Sequence, residues 1–189
     1  MRIPHLVCAI ALVAAAAAPA AAQERRGPVP APGMVGVGAS FGASIPTDDR
    51  LKNGPEITGN IEGYLTRRLS VRGRVGATWE DFTGQPFSGT LKPIYFDGSL
   101  VYNWEGGAWH PYVAGGAGIY RFNYEENGLK GHDTAPGFNL GGGVEYFFTR
   151  HSTLTGDVLF RRAGDVVTAL APFEHPSWWT ISLGLKRYF

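Results

Sequence analysis

From Met34 to the end of the chain, side-chain character alternates with a period of two in eight separate segments. Apolar residues never recur at helical spacing over several turns, so strands and not helices are the elements to expect. The segments run over 35–45, 57–65, 69–80, 94–104, 112–123, 138–148, 154–161 and 179–189. In the first, Val35, Val37, Ala39, Phe41, Ala43 and Ile45 share one face and Gly36, Gly38, Ser40, Gly42 and Ser44 the other. In the last, Trp179, Ile181, Leu183, Leu185 and Phe189 oppose Thr180, Ser182, Gly184, Lys186 and Tyr188. The fifth is read with Tyr112, Ala114, Tyr120 and Phe122 on the apolar face and Arg121 on the polar one.

An even number of strands suits a closed antiparallel barrel. The connections alternate in length. Those at 66–68, 105–110 and 149–151 are tight, whereas 46–55, 81–93, 125–136 and 163–177 are long. Short turns at one end and long loops at the other are the plan of a transmembrane barrel, with periplasmic turns and extracellular loops. The 27 glycines and 13% aromatic residues fit strands that alternate small and large side chains in a narrow barrel.

The charges collect on one parity: Glu62, Arg72, Arg74, Glu80, Asp97, Arg121, Glu145, Asp157, Arg161 and Lys186. Both signs are present. They form either a solvated exterior around an apolar core, as in a soluble lipocalin-like barrel, or an interior lattice of ion pairs. An eight-stranded barrel holds only side chains or one small ligand, and charges inside it must pair. The other parity carries one charge, Arg187, near a strand end. Its aromatics gather at both strand ends: Trp79, Phe96, Tyr120, Phe122, Phe138, Phe160 and Trp179 by the long loops, and Trp104, Tyr112, Tyr146, Phe148 and Phe189 by the short turns. Two aromatic girdles around an aliphatic band point to the membrane arrangement, apolar face outward.

Residues 1–22 read as a Sec-type signal peptide: Arg2, an apolar stretch from Leu6 to Ala18, and the small residues Ala20–Ala22 before cleavage. The apolar stretch is short for a spanning helix, and no later segment is long and apolar enough for one. Cys8, the lone cysteine, falls inside this segment, so the mature chain is expected to hold no thiol. Residues 23–33 are polar and proline-rich and read as a flexible leader, and residues 34–189 as the barrel.

The chain closes on Ser182-Leu-Gly184-Leu-Lys-Arg-Tyr188-Phe189. This resembles the terminal signal by which the barrel-assembly machinery recognises its clients; Ser182, Gly184, Tyr188 and Phe189 fit the pattern and Arg187 departs from it. Together with Pro111–Gly118, Gly141–Tyr146 and the strand–turn–strand from Tyr64 to Val71, the chain resembles the small eight-stranded outer-membrane barrels of the OmpA-transmembrane, OmpX and opacity-protein kind. The resemblance implies a monomeric barrel in the outer membrane, in contact with lipid and lipopolysaccharide, assembled by that machinery. No soluble peptidoglycan-binding domain is expected after the barrel.

Specific chemistry is sparse. The net charge of +1 gives no footprint for nucleic acid. The glycine clusters at 115–116 and 141–143 have no following helix and so make no phosphate loop. They are expected to leave room for neighbouring side chains. His110, His132, His151 and His175 fall in separate turns and loops without metal-site spacing, the pairs His132-Asp133 and Glu174-His175 included. His151-Ser152 is at a predicted periplasmic turn, the wrong end for a lipid-modifying hydrolase, and no oriented His–Ser–carboxylate set is visible. We therefore expect no enzyme, metal or cofactor. The expected role is structural or surface interaction through the long loops, whose aromatics include Phe82, Phe87 and Trp178. The expected interior is a plug of Glu62, Arg72, Arg74, Asp97, Arg121, Glu145, Asp157, Arg161 and Lys186; the alternatives are a narrow channel or carrier lined by the same charges, and the soluble periplasmic ligand-binding barrel.

Overall fold

A computed structural model describes residues 30–81, 89–104, 106–126, 129–167, 172–173 and 175–189. The expected signal peptide, Phe82, Phe87 and Glu174 lie outside these residues. The described strands are β1 (Val35–Pro46), β2 (Gly54–Tyr64), β3 (Leu69–Thr78), β4 (Glu80–Asp81), β5 (Gly89–Asn103), β6 (Trp109–Glu126), β7 (Leu129–Phe147), β8 (Ser152–Ala163), β9 (Val166–Val167), β10 (Pro172–Phe173) and β11 (Ser177–Tyr188).

The sheet runs β3-β2-β1-β11-β8-β7-β6-β5-β4, and β3 also pairs with β5, from Leu69↔Tyr102 to Ala77↔Ile94. That last ladder joins the two ends, so the sheet closes on itself. The two-residue β4 continues β3 past Trp79 and pairs with β5 through Glu80↔Leu91. The nine strands thus make eight staves. A small ribbon of β9 and β10 lies in the connection between β8 and β11.

Alternation sets the two faces. On β1, Val35, Val37 and Phe41 point out while Ser40 and Ser44 are buried, and β2, β3, β5, β7, β8 and β11 follow the parity read from the sequence. β6 does not. Tyr112, Ala114, Tyr120 and Phe122 are buried, and Val113, Ile119 and Arg121 face outward. Both parities of this strand are apolar or small, so its one arginine is a poor guide. The neighbouring ladders decide: Tyr95↔Tyr120 and Tyr112↔Gly143 bring inward residues together.

The inward tyrosines also explain two glycines. Tyr95 is paired across the ladder with Gly76, and a Cβ there would collide with the Tyr95 hydroxyl. Tyr112 lies likewise over Gly143, whose Cβ would sit 2.7 Å from its hydroxyl oxygen.

Three strands are longer than expected. β5 begins at Gly89, and β6 and β7 stay paired up to Glu126↔Leu129, through the segment 125–136 read as a loop. Pro93 and Pro136 suggested breaks, but both are tolerated. The Pro136 carbonyl accepts from Gly164 N at 2.8 Å. A strand residue's N–H and C=O point to the same side, so the missing donor of Pro136 faces away from the β6 ladder. Pro93 falls between the pairings Ile94↔Ala77 and Leu91↔Glu80. The result is a three-stranded extension rising from the long-loop end.

Candidate functional site

The inside of the barrel is filled in layers. At the short-turn end, Tyr64, Phe147 and Tyr188 form an aromatic cap with Met34 against it. Phe147 stacks on Tyr188 at 5.6 Å, and the His110 ring packs edge-on against Phe147 at 5.0 Å. His110, expected in a turn, is thus a buried β6 residue, with Nε2 2.9 Å from the Gly107 carbonyl. His132 is likewise a strand residue, exposed on β7.

Above this cap, Arg72 of β3 is the hub of a first charged layer. Its Nε donates to Glu62 at 2.9 Å, its Nη2 to Glu145 at 3.0 Å, and its Nη1 lies 3.5 Å from Asp157. Lys186 of β11 donates to both Glu62 and Glu145. Ser70 donates to Glu62 at 2.5 Å, Tyr188 to Glu145 at 2.8 Å, and Tyr112 to Asp157. The guanidinium also lies over the Tyr112 ring, 4.5 Å from its centre.

Arg161 of β8 organises a second layer. It donates to Asp97 at 3.1 Å, to Glu56 at 3.1 Å and to Thr180 at 2.8 Å, over the face of Tyr95 at 4.1 Å. The Tyr95 hydroxyl donates to Glu56 at 2.5 Å. Arg74 is held less well: its Nη1 is 3.4 Å from Asp97 and 3.2 Å from Ser99, and its Nη2 is buried with no protein partner. Higher still, Glu80 accepts from Ser44 at 2.6 Å and Thr78 at 3.3 Å.

Arg72–Glu145, Arg161–Asp97, Arg161–Glu56 and Lys186–Glu145 join strands that are not neighbours in the sheet. They are struts across the lumen. The space left among them is about 10 Å³, lined by Asn60, Arg72, Arg74, Asp157, Arg161 and Lys186 among others. That is about the volume of one water probe. The long-loop end is sealed by Leu91, Tyr95, Tyr120, Phe122, Ala135, Ala163, Val166 and Trp178. Trp178 meets Tyr120 at 5.4 Å and Phe122 at 5.9 Å, both edge-on. It is therefore a buried β11 residue and not an exposed loop aromatic.

Of the expected interior charges, Glu62, Arg72, Arg74, Asp97, Glu145, Asp157, Arg161 and Lys186 lie inside the barrel. Arg121 lies outside, with its Nε donating to Asn123 at 3.1 Å. Glu56 is an interior member the reading missed, because Pro55 suggested a loop; its parity with Thr58, Asn60 and Glu62 was the available signal. In the β1–β2 connection, Arg50 donates to Asp48 at 2.6 Å and so holds that carboxyl below its ordinary pKa, against a smaller opposing effect of burial. Among the described residues no group of His, Cys, Asp or Glu is arranged to hold a metal ion. His151 and Ser152 sit at the short-turn rim, where the His151 carbonyl accepts from Tyr188 N at 2.8 Å.

The outer surface carries the apolar residues. Phe41, Phe96, Leu140, Leu183 and Leu185 are each at least 60% exposed. Trp79, Phe138 and Trp179 girdle one end and Trp104, Phe148 and Phe189 the other, joined there by Trp109. Tyr112, Tyr120 and Phe122, expected in these girdles, are inside instead. Charges inside and a continuous apolar belt outside define a transmembrane β-barrel.

The chain belongs to the outer membrane protein beta-barrel domain family, whose model matches residues 8–189. Solved structures share the fold. Neisserial surface protein A is similar at 17% identity and a TM-score of 0.66, over 83% of this chain and 99% of that one. The outer membrane protein OprG from Pseudomonas aeruginosa is similar at 14% identity and a TM-score of 0.59, over 88% and 99%. Ail, the attachment invasion locus protein of Yersinia pestis, is similar at 14% identity and a TM-score of 0.57, over 84% and 99%. A search of curated protein sequences returned no significant match.

Proposed function

We propose that the protein is a closed, non-conducting barrel of the outer membrane with a structural and surface-interaction role, exerted from its long-loop end. The observation that carries this reading is the lumen: two layers of cross-barrel ion pairs, capped by aromatics at both ends, with a residual space of about 10 Å³. Ions need a continuous polar path with weak, multiple sites, and struts of this kind oppose one. The reading is non-catalytic, since His151 and Ser152 lie at the short-turn rim, away from the extended strands. It also takes the barrel to be a monomer and Ser182, Gly184, Tyr188 and Phe189 to be the assembly signal. The first three point inward on β11, and Phe189 is 71% exposed on the outer face.

Planar-bilayer recording on the purified barrel tests the proposal. The expected trace is flat at moderate voltage. Reproducible unitary steps that scale with salt concentration would replace the plug by a narrow channel.

A further inference from the structure

The extension of β5, β6 and β7 has an outward face unlike the rest of the belt. Its residues fall in rows across the three strands: Ile94–Arg121–Thr134, then Lys92–Asn123–His132, then Thr90–Glu125–Lys130. The basic side chains Lys92, Arg121, Lys130 and His132 are all exposed. Of the acids on this face, Glu125 is taken by Lys130 at 3.2 Å, and Asp81 stands at the β4 side, opposite Thr90. Arg121 is held upright by its bond to Asn123, whose Nδ2 donates to the Lys92 carbonyl at 3.2 Å. Lys92, Arg121 and His132 therefore surround Asn123. A concavity of about 300 Å³, lined by Lys92, Asn123, Tyr124, Glu125, Lys130 and His132 among others, opens beside Asn123, with Arg121 outside its lining.

The height of this group identifies what it meets. Ile94, Phe96 and Ile119 belong to the apolar belt, at 45%, 65% and 57% exposure. Lys92 is the next outward residue above Ile94, about 7 Å further along the strand at the usual rise. The headgroup layer occupies about 5–8 Å outside the hydrocarbon. Lys92 and His132 stand at that depth, Arg121 lies in the Ile94 row just below and bonds up to Asn123, and the three carry charge or donors opposite to phosphate.

We propose that Lys92, Arg121 and His132 form a docking site for the phosphorylated headgroup of an outer-leaflet lipid, seated over Asn123 on the outer wall of the β5–β6–β7 extension. Arginine and lysine supply charge-assisted donors to phosphate oxygens, and a histidine ring N–H donates in either tautomer. The acyl chains of the same lipid lie on Ile94, Phe96 and Ile119. The inference rests on the apolar-out, long-loops-outside orientation of the proposed function.

The test is a binding titration of the folded barrel in mixed micelles with bisphosphorylated lipid A and with the same lipid stripped of phosphate. Each basic residue near an anionic surface contributes about fivefold in affinity. The combined K92Q/R121Q/H132Q variant is expected to bind the phosphorylated lipid about 30-fold or more weakly, and added salt to weaken the wild type. An R67Q/R150Q control at the short turns is expected to bind normally. Equal binding of both lipids, or unchanged binding by the combined variant, would overturn the site. Full competition by millimolar inorganic phosphate would also overturn it, as an anion site without lipid selectivity. Mobility on a gel with and without boiling distinguishes loss of the site from loss of the barrel. A heat shift with flat lipid binding removes only the site. Absence of a heat shift in the wild type removes the membrane barrel and the site together.

Discussion

Arg72→Met is the perturbation that most directly weighs the lumen network. The side chain is 2% exposed and its guanidinium reaches Glu62 at 2.9 Å, Glu145 at 3.0 Å and Asp157 at 3.5 Å. Methionine keeps much of the volume and removes the charge, so the layer is left with Lys186 against three carboxylates. Removing one partner of a buried ion pair typically costs about 3–5 kcal/mol. Lys186 still serves Glu62 and Glu145, whereas Asp157 keeps only the Tyr112 hydroxyl. The loss should therefore fall at the low end, about 3 kcal/mol. Urea unfolding of the mature barrel in detergent, followed by tryptophan fluorescence and by boiled and unboiled gel mobility, reads it. Adding Asp157→Asn to Arg72→Met should recover part of the loss, because the carboxylate left without a cation is the source of the penalty. Arg74→Met is the internal comparison. Its best carboxylate contact is 3.4 Å and its Nη2 has no protein partner, so it should cost less than Arg72→Met. A loss below about 1 kcal/mol for Arg72→Met, the size of an exposed pair, would refute a dry, cross-braced lumen.

Other consequences follow from the two faces. Leu183→Arg, at a position 67% exposed in the middle of β11, should destabilise the barrel in lipid by about 2–4 kcal/mol, measured by urea titration in vesicles. A neutral result there would place Leu183 outside the hydrocarbon. Gly76→Val puts a side chain against the Tyr95 ring and the Ile57 carbonyl; overpacking of this kind costs about 1–3 kcal/mol and should lower the temperature at which unboiled mobility is lost. Deleting Phe189 should reduce the heat-modifiable form in the outer-membrane fraction while leaving refolding of the purified chain in detergent intact. Loss of both would make Phe189 a stability residue and not a recognition element.

Much of the barrel could be read directly from the chain because period-two alternation is a local property. Within the barrel wall, β1, β2, β3, β5, β7, β8 and β11 each present one apolar parity and one polar or small parity, and a pleated strand must send them to opposite faces. The tight turn at Thr66–Arg68 and its alternation with long connections are also local, with Leu65 N and Thr66 N both reaching the Leu69 carbonyl at 2.9 and 3.0 Å. Parity alone puts Glu62, Arg72, Arg74, Asp97, Glu145, Asp157, Arg161 and Lys186 on the charged faces of their strands.

What closure and register decided lies beyond any single strand. β6 carries small or apolar residues on both faces, so its side chains were assigned only when Tyr120 came opposite Tyr95 and Tyr112 opposite Gly143. That inversion moved Arg121 from the lumen to the outer wall, where it joins Lys92 and His132 on adjacent strands. The true ends of β5, β6 and β7 depended likewise on partners, since Pro93 and Pro136 break a ladder only when their missing N–H would have faced one. The pairing of charges is tertiary in the same way. Arg72 and Glu145, or Arg161 and Glu56, are distant in sequence and in the sheet, and only a closed cylinder brings them within hydrogen-bond reach. Alternation determines which side chains share a face, whereas the curvature of the whole sheet determines which face is inside and which residues meet across it.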